Sequence, residues 1–220
     1  MENTIQNNLK YNLDPVDFHL GPIILSGTFG DVFKGTYKND PHLYAIKSIN
    51  IRPNQNSEKV AIQSEIAILD IVSNNYPRPN AFPNFYGHFV DTTRLMMTEN
   101  YGLIFDFFPS SLRKLIETHK TANQPIDFHK FKGIYNTLLD GLAFLQSRNI
   151  CHRDLSPNNI MLDTNDTVKI IDYGVSKDIT NLQQLNREAF TMTIAGKISY
   201  MAPEVLAALI ANKNKVFLKK

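Results

Sequence analysis

The chain has no tryptophan, a single cysteine, almost no net charge and no long apolar run. A lone cysteine, Cys151, excludes an intramolecular disulfide, which suits a reducing setting and gives the expectation of a cytoplasmic protein. It lies in apolar surroundings and reads as a buried packing residue rather than a nucleophile. No stretch approaches the ~20 apolar residues that span a bilayer, and no leader pattern opens at Met1-Glu2-Asn3. No membrane partner is therefore expected. Lys and Arg total 23 against 21 Asp and Glu, so no nucleic-acid partner is expected either. Lys213, Lys215, Lys219 and Lys220 form a small basic tail that reads as solvated. Internal repeats and low-complexity tracts are also missing. What remains is 220 residues, 43% of them hydrophobic, enough for one or two small domains with a real core.

The strongest signal is Cys151-His152-Arg153-Asp154-Leu155-Ser156-Pro157-Asn158-Asn159, followed by Asp172-Tyr173-Gly174. These segments fit the patterns H-R-D-L-x-x-x-N and D-[FY]-G at their usual separation. Phosphoryl transfer needs a carboxylate to orient the attacking hydroxyl. It also needs an amide oxygen and a second carboxylate to hold Mg²⁺ against the phosphates. Asp154, Asn159 and Asp172 supply those three groups.

Four further features accompany it, three upstream and one downstream. Ile24-Leu25-Ser26-Gly27-Thr28-Phe29-Gly30-Asp31-Val32 fits a glycine-rich phosphate loop, with Leu25 at the place of its first glycine. Alone, such a run is more often just a hairpin turn. Tyr44-Ala45-Ile46-Lys47 fits a strand whose lysine holds phosphates, although a lone Lys47 also reads as one solvent-facing residue of an alternating strand. A helical pattern from about Glu58 to Val72, with Ile62, Ile66 and Leu69 on one face, carries Glu65 eighteen residues after Lys47. Downstream, Tyr200-Met201-Ala202-Pro203-Glu204 ends in A-P-E.

Together these five motifs, from about Ile23 to Glu204, resemble the eukaryotic-type protein kinase family, Ser/Thr kinases in particular. The resemblance implies an α+β, two-lobed fold in a single domain over 1–220. A small antiparallel β lobe with one helix spans about 18–105, a hinge about 106–109, and a partial, mainly helical large lobe about 110–220. It implies ATP and Mg²⁺ as cofactors and a protein substrate. By the same resemblance Glu65 pairs with Lys47, Phe105 stands behind the adenine, and Asp106 to Phe108 offer backbone groups to the adenine edge. Ala45, Val32 and Met161 sandwich the ring.

Periodicity adds a short apolar stripe at Leu112, Leu115 and Ile116. A longer one runs through Phe131, Ile134, Tyr135, Leu138, Leu139, Leu142 and Leu145, ending at Arg148-Asn149.

The chain departs from the family in several places. The residue two after the catalytic aspartate is usually Lys and here is Ser156. The segment before Y-x-A-P-E usually has Gly-Thr and here has Gly196-Lys197. Hydroxyl and ammonium have traded positions, which gives the expectation that Lys197 reaches Asp154 with Ser156 as its hydroxyl partner. Arg153 implies a phosphate-ordered activation segment, with Thr193 as the candidate site, Thr191 its neighbour and Lys177 a second cation. Asn158 stands where many Ser/Thr kinases carry Glu, which disfavours strongly basic substrates.

After Glu204 the large lobe is expected to be incomplete. An apolar stripe at 131–145 would be left short of cover, and a buried Glu204 would lack its arginine. Three readings stand: an active Ser/Thr protein kinase, a truncated or degenerate nucleotide-binding module completed by a partner, and a small-molecule kinase. The glycine loop and the A-P-E segment argue against the last.

Overall fold

The computed structural model describes residues 13–27, 30–52, 55–74, 77–92, 99–180, 191–211 and 215–217. The chain divides into two units, residues 1–63 with 83–108 and residues 64–82 with 109–220.

In the first unit, runs rich in Ile, Val, Phe and Tyr, punctuated by glycine and Asn39-Asp40-Pro41, favour strands over helix. They form β1 (Phe18–Gly27), β2 (Gly30–Tyr37) and β3 (Tyr44–Ile51). Helix α1 (Asn56–Asn74) follows, then β4 (Phe85–Asp91) and β5 (Glu99–Asp106). The sheet order is β1-β2-β3-β5-β4, every pair antiparallel. With no tryptophan, the core is built from Phe and Tyr. Leu13, Phe18, Tyr44, Ile46, Tyr86, Phe89 and Ile104 are buried together, with Phe33 and Tyr37 against them. Phe18 meets Tyr37 at 5.0 Å and Phe89 at 5.5 Å between ring centroids. Burying each such ring contributes about 1.5–3 kcal/mol. Two buried phenols keep an acceptor: Tyr44 Oη donates to Asp40 at 3.0 Å and Tyr86 Oη to Asp106 at 2.7 Å. Burial first, then these carboxylates, pushes both phenol pKa values up.

Along α1 the buried positions are Ile62, Glu65, Ile68, Leu69 and Val72, with Ser73 beside the last. They repeat every three or four residues, as one helix face requires. Glu65 lies inside that apolar line, and Ile66 is only half-buried.

The helix begins in the first unit and ends in the second. Segment 77–82 shows why. The Ile170 N–H donates to the Ala81 carbonyl at 2.7 Å, and Lys169 Nζ bonds to the Asn80 carbonyl at 2.9 Å. Phe82 and Phe144 pack with ring centroids 5.3 Å apart.

The second unit opens with β6 (Ser110–Ser111) and α2 (Leu112–Thr121), then α3 (Phe128–Ser147). Ser111 caps α2 by accepting the Lys114 N–H at 3.2 Å, and Asp127 caps α3 by accepting the Lys130 N–H at 3.0 Å. Each cap is worth about 1 kcal/mol. Short strands follow: β7 (Ile150–Cys151), β8 (Ile160–Leu162), β9 (Val168–Ile170), β10 (Lys177–Asp178) and β11 (Thr191–Thr193). Helix α4 (Pro203–Ile210) and β12 (Lys215–Phe217) complete the described elements. The strands pair as β6-β8-β9, β10-β7 and β11-β12. The last pair, with Thr193 opposite Lys215, was not foreseen from sequence.

The apolar stripe expected on α3 divides in two. Ile134, Phe144 and Leu145 are buried, and Ile134 joins Ile160, Leu162 and Val168 in a cluster flanked by Leu112, Leu115 and Leu138. Phe128, Phe131, Tyr135, Leu139 and Leu142 are exposed. Two expectations need correction. Glu204 is exposed rather than buried, because it stands on the outward side of the first turn of α4, so no burial penalty arises. Cys151 is half-buried, packed with Ile179, Ile194 and Val205 around Ala208.

Two glycines of α3 separate packing from propensity. A Cβ at Gly141 would stand 2.7 Å from the Ala81 Cβ and 2.8 Å from the Ile170 Cδ1, whereas at Gly133 it meets nothing. Gly141→Val is expected to lower unfolding free energy by about 1–3 kcal/mol, and Gly133→Ala to raise it by up to about 1 kcal/mol. Urea denaturation of both variants checks the contrast.

Candidate active site

Helix α3 stops because Asn149 adopts a left-handed conformation (φ 56°) after the Arg148 cap. The chain then enters β7, where Cys151 pairs with Lys177 and Ile150 with Asp178 of β10. His152 turns inward and is buried. Its Nε2–H donates to the Ile171 carbonyl at 3.0 Å, and its Nδ1 accepts the Asp154 N–H at 3.3 Å. Both contacts require the neutral ring, protonated at Nε2. Burial is the largest influence and lowers the His152 pKa, outweighing the Ile171 carbonyl and the Asp172 and Asp154 carboxylates, which raise it; Lys197 lowers it further. The ring also packs on Tyr173, centroids 5.1 Å apart. Tyr173 is buried, with its hydroxyl on the Ile170 carbonyl at 3.3 Å.

Arg153 is left-handed (φ 68°), a conformation that costs a non-glycine residue about 1–2 kcal/mol. Its Nε donates to the Val175 carbonyl. One residue back, the His152 carbonyl accepts the Ser176 hydroxyl at 3.0 Å. The segment after Asp172-Tyr173-Gly174 thus holds the loop that presents Asp154.

Asn159 ties the loop from the other side. Its Nδ2 donates to the Asp154 carbonyl and to Asp154 Oδ2, each at 2.8 Å. Pro157–Asn159 forms a single tight turn, with the Asn159 N–H on the Ser156 carbonyl at 2.9 Å. With both amide hydrogens committed to Asp154, the Asn159 Oδ1 is left as an oxygen donor. The Asn159 carbonyl accepts the Ile171 N–H at 3.0 Å, which brings Asp172, itself left-handed at φ 67°, beside Asn159. An amide oxygen and a carboxylate are hard donors of the kind Mg²⁺ takes, so the residues present fit that ion.

The segment bearing Lys197 meets the same loop. Gly196 has φ 98°, and a Cβ there would run into the Arg153 carbonyl oxygen. That close approach sets Lys197 against Asp154. The Lys197 N–H donates to Asp154 Oδ1 at 3.2 Å, while Nζ lies 2.8 Å from Oδ2 and 3.3 Å from Ser156 Oγ. Ser156 is buried, and the Lys197 side chain is 43% exposed.

In the first unit, register places Leu25 opposite Val32 and Val32 opposite Lys47, with Ala45 two residues from Lys47. Directly paired residues share a face and alternate residues return to it. Leu25, Val32, Ala45 and Lys47 therefore lie on the face opposite fully buried Tyr44 and Ile46. Ile24 and Leu25 are exposed. Ser26 pairs with Asp31 and Gly27 with Gly30; Thr28 and Phe29, between them, lie outside the described residues. At the end of β5, the Asp106 and Phe107 N–H groups go to the Asn84 and Leu43 carbonyls, and Phe108 follows. Asp106 spends its carboxylate on the Tyr86 hydroxyl and the Asn84 N–H. Met161 lies in β8 of the second unit.

The structure thus gathers Arg153, Asp154, Ser156, Asn159, Asp172 and Lys197 in one unit. Lys47 belongs to the other, and Glu65 to the same unit as Asp154. Sequence reading missed the left-handed residues, the Asn159 clamp and the Ser176 tie. Gly196 was visible, but its need for positive φ was not.

A family model described as "Protein kinase domain" matches residues 18–217. The chain belongs to the protein kinase domain family. The α+β fold expected from the motifs, with an antiparallel sheet in one part and helices in the other, is the fold found. Relatives include serine/threonine-protein kinase pakF of Dictyostelium discoideum, 33% identical over 193 residues, covering 86% of this chain and 14% of that protein. Serine/threonine-protein kinase SCH9 of Candida albicans is 30% identical over 214 residues, 92% of this chain and 24% of that protein. MAP kinase kinase kinase SSK2 of Saccharomyces cerevisiae is 31% identical over 160 residues, 70% of this chain and 9% of that protein. The kinase domain therefore spans less than a quarter of each of these three. Among the described residues, no helix is long and apolar enough to cross a membrane.

The neutral, buried His152 gives a pH dependence. The unfolded chain binds a proton at His152 below its ordinary pKa of about 6.5, while the folded chain resists it. The His152 contribution is fully present above that value and is lost as pH falls below it. Denaturation midpoints at pH 7.5 and pH 5.5 are expected to differ by less in His152→Phe than in the unsubstituted protein.

Proposed function

We propose that this kinase domain transfers the γ-phosphoryl group of ATP to serine or threonine hydroxyls of protein substrates. The observation that carries the reading is the clamped Asp154, presented by strained backbone beside Asn159 and Asp172. In this reading the Asp154 carboxylate orients the substrate hydroxyl. That oxygen bonds to the γ-phosphorus, the bond from phosphorus to the β–γ bridging oxygen breaks, the hydroxyl proton leaves toward Asp154, and ADP departs. Asn159 and Asp172 hold Mg²⁺, which neutralises charge on the phosphates when bound.

Lys47, fixed by Glu65, holds the α- and β-phosphates. Support for this pair is the buried place of Glu65 in an apolar helix face, where a carboxylate needs a charged or hydrogen-bonding partner. The glycine-rich stretch (Ile24, Leu25, Ser26, Gly27, Thr28, Phe29, Gly30, Asp31, Val32), with Ala45, Asp106, Phe108 and Met161, holds the nucleotide. Arg153 and Thr193 are proposed as the regulatory pair. The serine/threonine assignment draws on relatives named as such kinases and on Leu155-Ser156-Pro157-Asn158 before Asn159.

A second reading is favoured by one observation, the exposed apolar side chains Phe128, Phe131, Tyr135, Leu139 and Leu142 of α3. Such a face suits cover by a protein partner, and the chain would then bind nucleotide and act through that partner.

Labelled γ-phosphate transfer from ATP·Mg²⁺ to a generic protein substrate separates the two. Transfer is expected, with Asp154→Asn reducing it about 10²–10⁴-fold. A folded chain that binds ATP but transfers nothing would instead support the partner-dependent reading.

A further inference from the structure

In the second unit the ammonium at Asp154 does not come from the loop that carries Asp154. It comes from Lys197, 43 residues on, in a segment that reaches the loop through Gly196. The neighbouring Arg153 sends its Nε to the Val175 carbonyl instead. An ammonium has three N–H donors. Asp154 Oδ2 and Ser156 Oγ take two of the Lys197 donors, and the side chain remains 43% exposed. The backbone contact is as informative as the side chain. The Lys197 N–H holds Asp154 Oδ1 while its Nζ holds Oδ2, so this residue contacts both carboxylate oxygens, beside the Asn159 amide, and adds one positive charge. Gly196, the residue before Lys197, lies against the Arg153 carbonyl.

We propose that Lys197 is the cation that receives the γ-phosphoryl oxygens of ATP. The site gains this cation only when its segment docks on the catalytic loop, so docking and charging of the site are one event. The proposal rests on the kinase reading above. It names Lys197 as a catalytic residue and Ser156 as the buried hydroxyl that positions it. A lysine on the loop itself would give a site charged whether or not the segment is in place. Here the loop supplies carboxylate, amide and hydroxyl, and the segment supplies the charge that makes them competent.

The exchange of side chains provides the test. Three variants are compared with the unsubstituted domain: Lys197→Thr, Ser156→Lys, and the double variant. The readouts are dissociation constants for ATP·Mg²⁺ and ADP·Mg²⁺, and steady-state transfer to a peptide. Thermal melts check folding, which the partly exposed Lys197 side chain should not govern.

Lys197→Thr is expected to weaken ATP about tenfold while leaving ADP unchanged, the loss of one charge-assisted contact to the γ-phosphate. It should also lower kcat/KM at least about 100-fold. Ser156→Lys alone crowds two ammonium groups on one carboxylate and should also lose transfer. The double variant returns one cation to Asp154, now from the loop, and should recover both ATP preference and most of the transfer.

Adding Gly196→Val, which drives the segment off the Arg153 carbonyl, tests the coupling. It should abolish ATP-over-ADP preference in the natural background and spare it in the double variant. The inference is overturned if Lys197→Thr keeps its ATP preference, or if the double variant recovers neither readout. It is also overturned in its regulatory part if Gly196→Val acts equally in both backgrounds. Failure of the unsubstituted domain to bind ATP would overturn the kinase reading itself, and this inference with it. ATP binding without transfer would leave the nucleotide readout to decide the role of Lys197.

Discussion

The hydrogen bonds from the Asn159 amide to Asp154, one to its carbonyl and one to its carboxylate, are the constraint on which the site depends. They close a loop of six residues, 154–159, whose entry is strained at Arg153. A left-handed arginine persists only where its surroundings over-determine it. Here three ties do so: Asn159 in front, the Ser176 hydroxyl on the His152 carbonyl behind, and the neutral His152 ring beneath, bonded at both nitrogens. Asp172 repeats the pattern, left-handed and tethered through the Ile171 N–H to Asn159. The groups proposed for metal and hydroxyl are thus positioned by one another's backbones, which is how a site reaches the narrow tolerances that phosphoryl transfer demands.

The scaffold behind this loop is continuous with the chain's first half. Residues 64–82 belong to the same unit as the Asp154 loop because Ala81, Asn80 and Phe82 are bonded or packed to Ile170, Lys169 and Phe144. Glu65, set in the buried line of α1, sits on that shared scaffold. The glycine at 141 is what lets α3 come close to Ala81 and Ile170.

Much of this was legible in the chain. Turn residues and β-branched runs marked β2 and β3, and a three- and four-residue apolar spacing marked α1 and α3. Five ordered motifs fixed the family, because phosphoryl transfer calls for particular side chains at particular separations and the chain carries them. Less legible were the ends of elements and the division of α3 into a covered and an exposed face. Periodicity reports that a stripe is apolar, not what lies across from it. Cys151, half-buried, and Glu204, exposed, were misjudged for the same reason: burial is a property of neighbours distant in sequence.

The sequence by itself determined which groups are present: a carboxylate at 154, an amide at 159, a carboxylate at 172, a hydroxyl at 156 and an ammonium at 197. It also raised the exchange of the last two. Only the tertiary structure decided that Lys197 grips both oxygens of Asp154, since that geometry depends on a positive φ at Gly196 and on a carbonyl 43 residues earlier lying where a Cβ would be. Side-chain chemistry is local and can be read one residue at a time. Distance between residues far apart in the chain is set by packing and by backbone conformations that many sequences share, and it emerges only when the chain is folded.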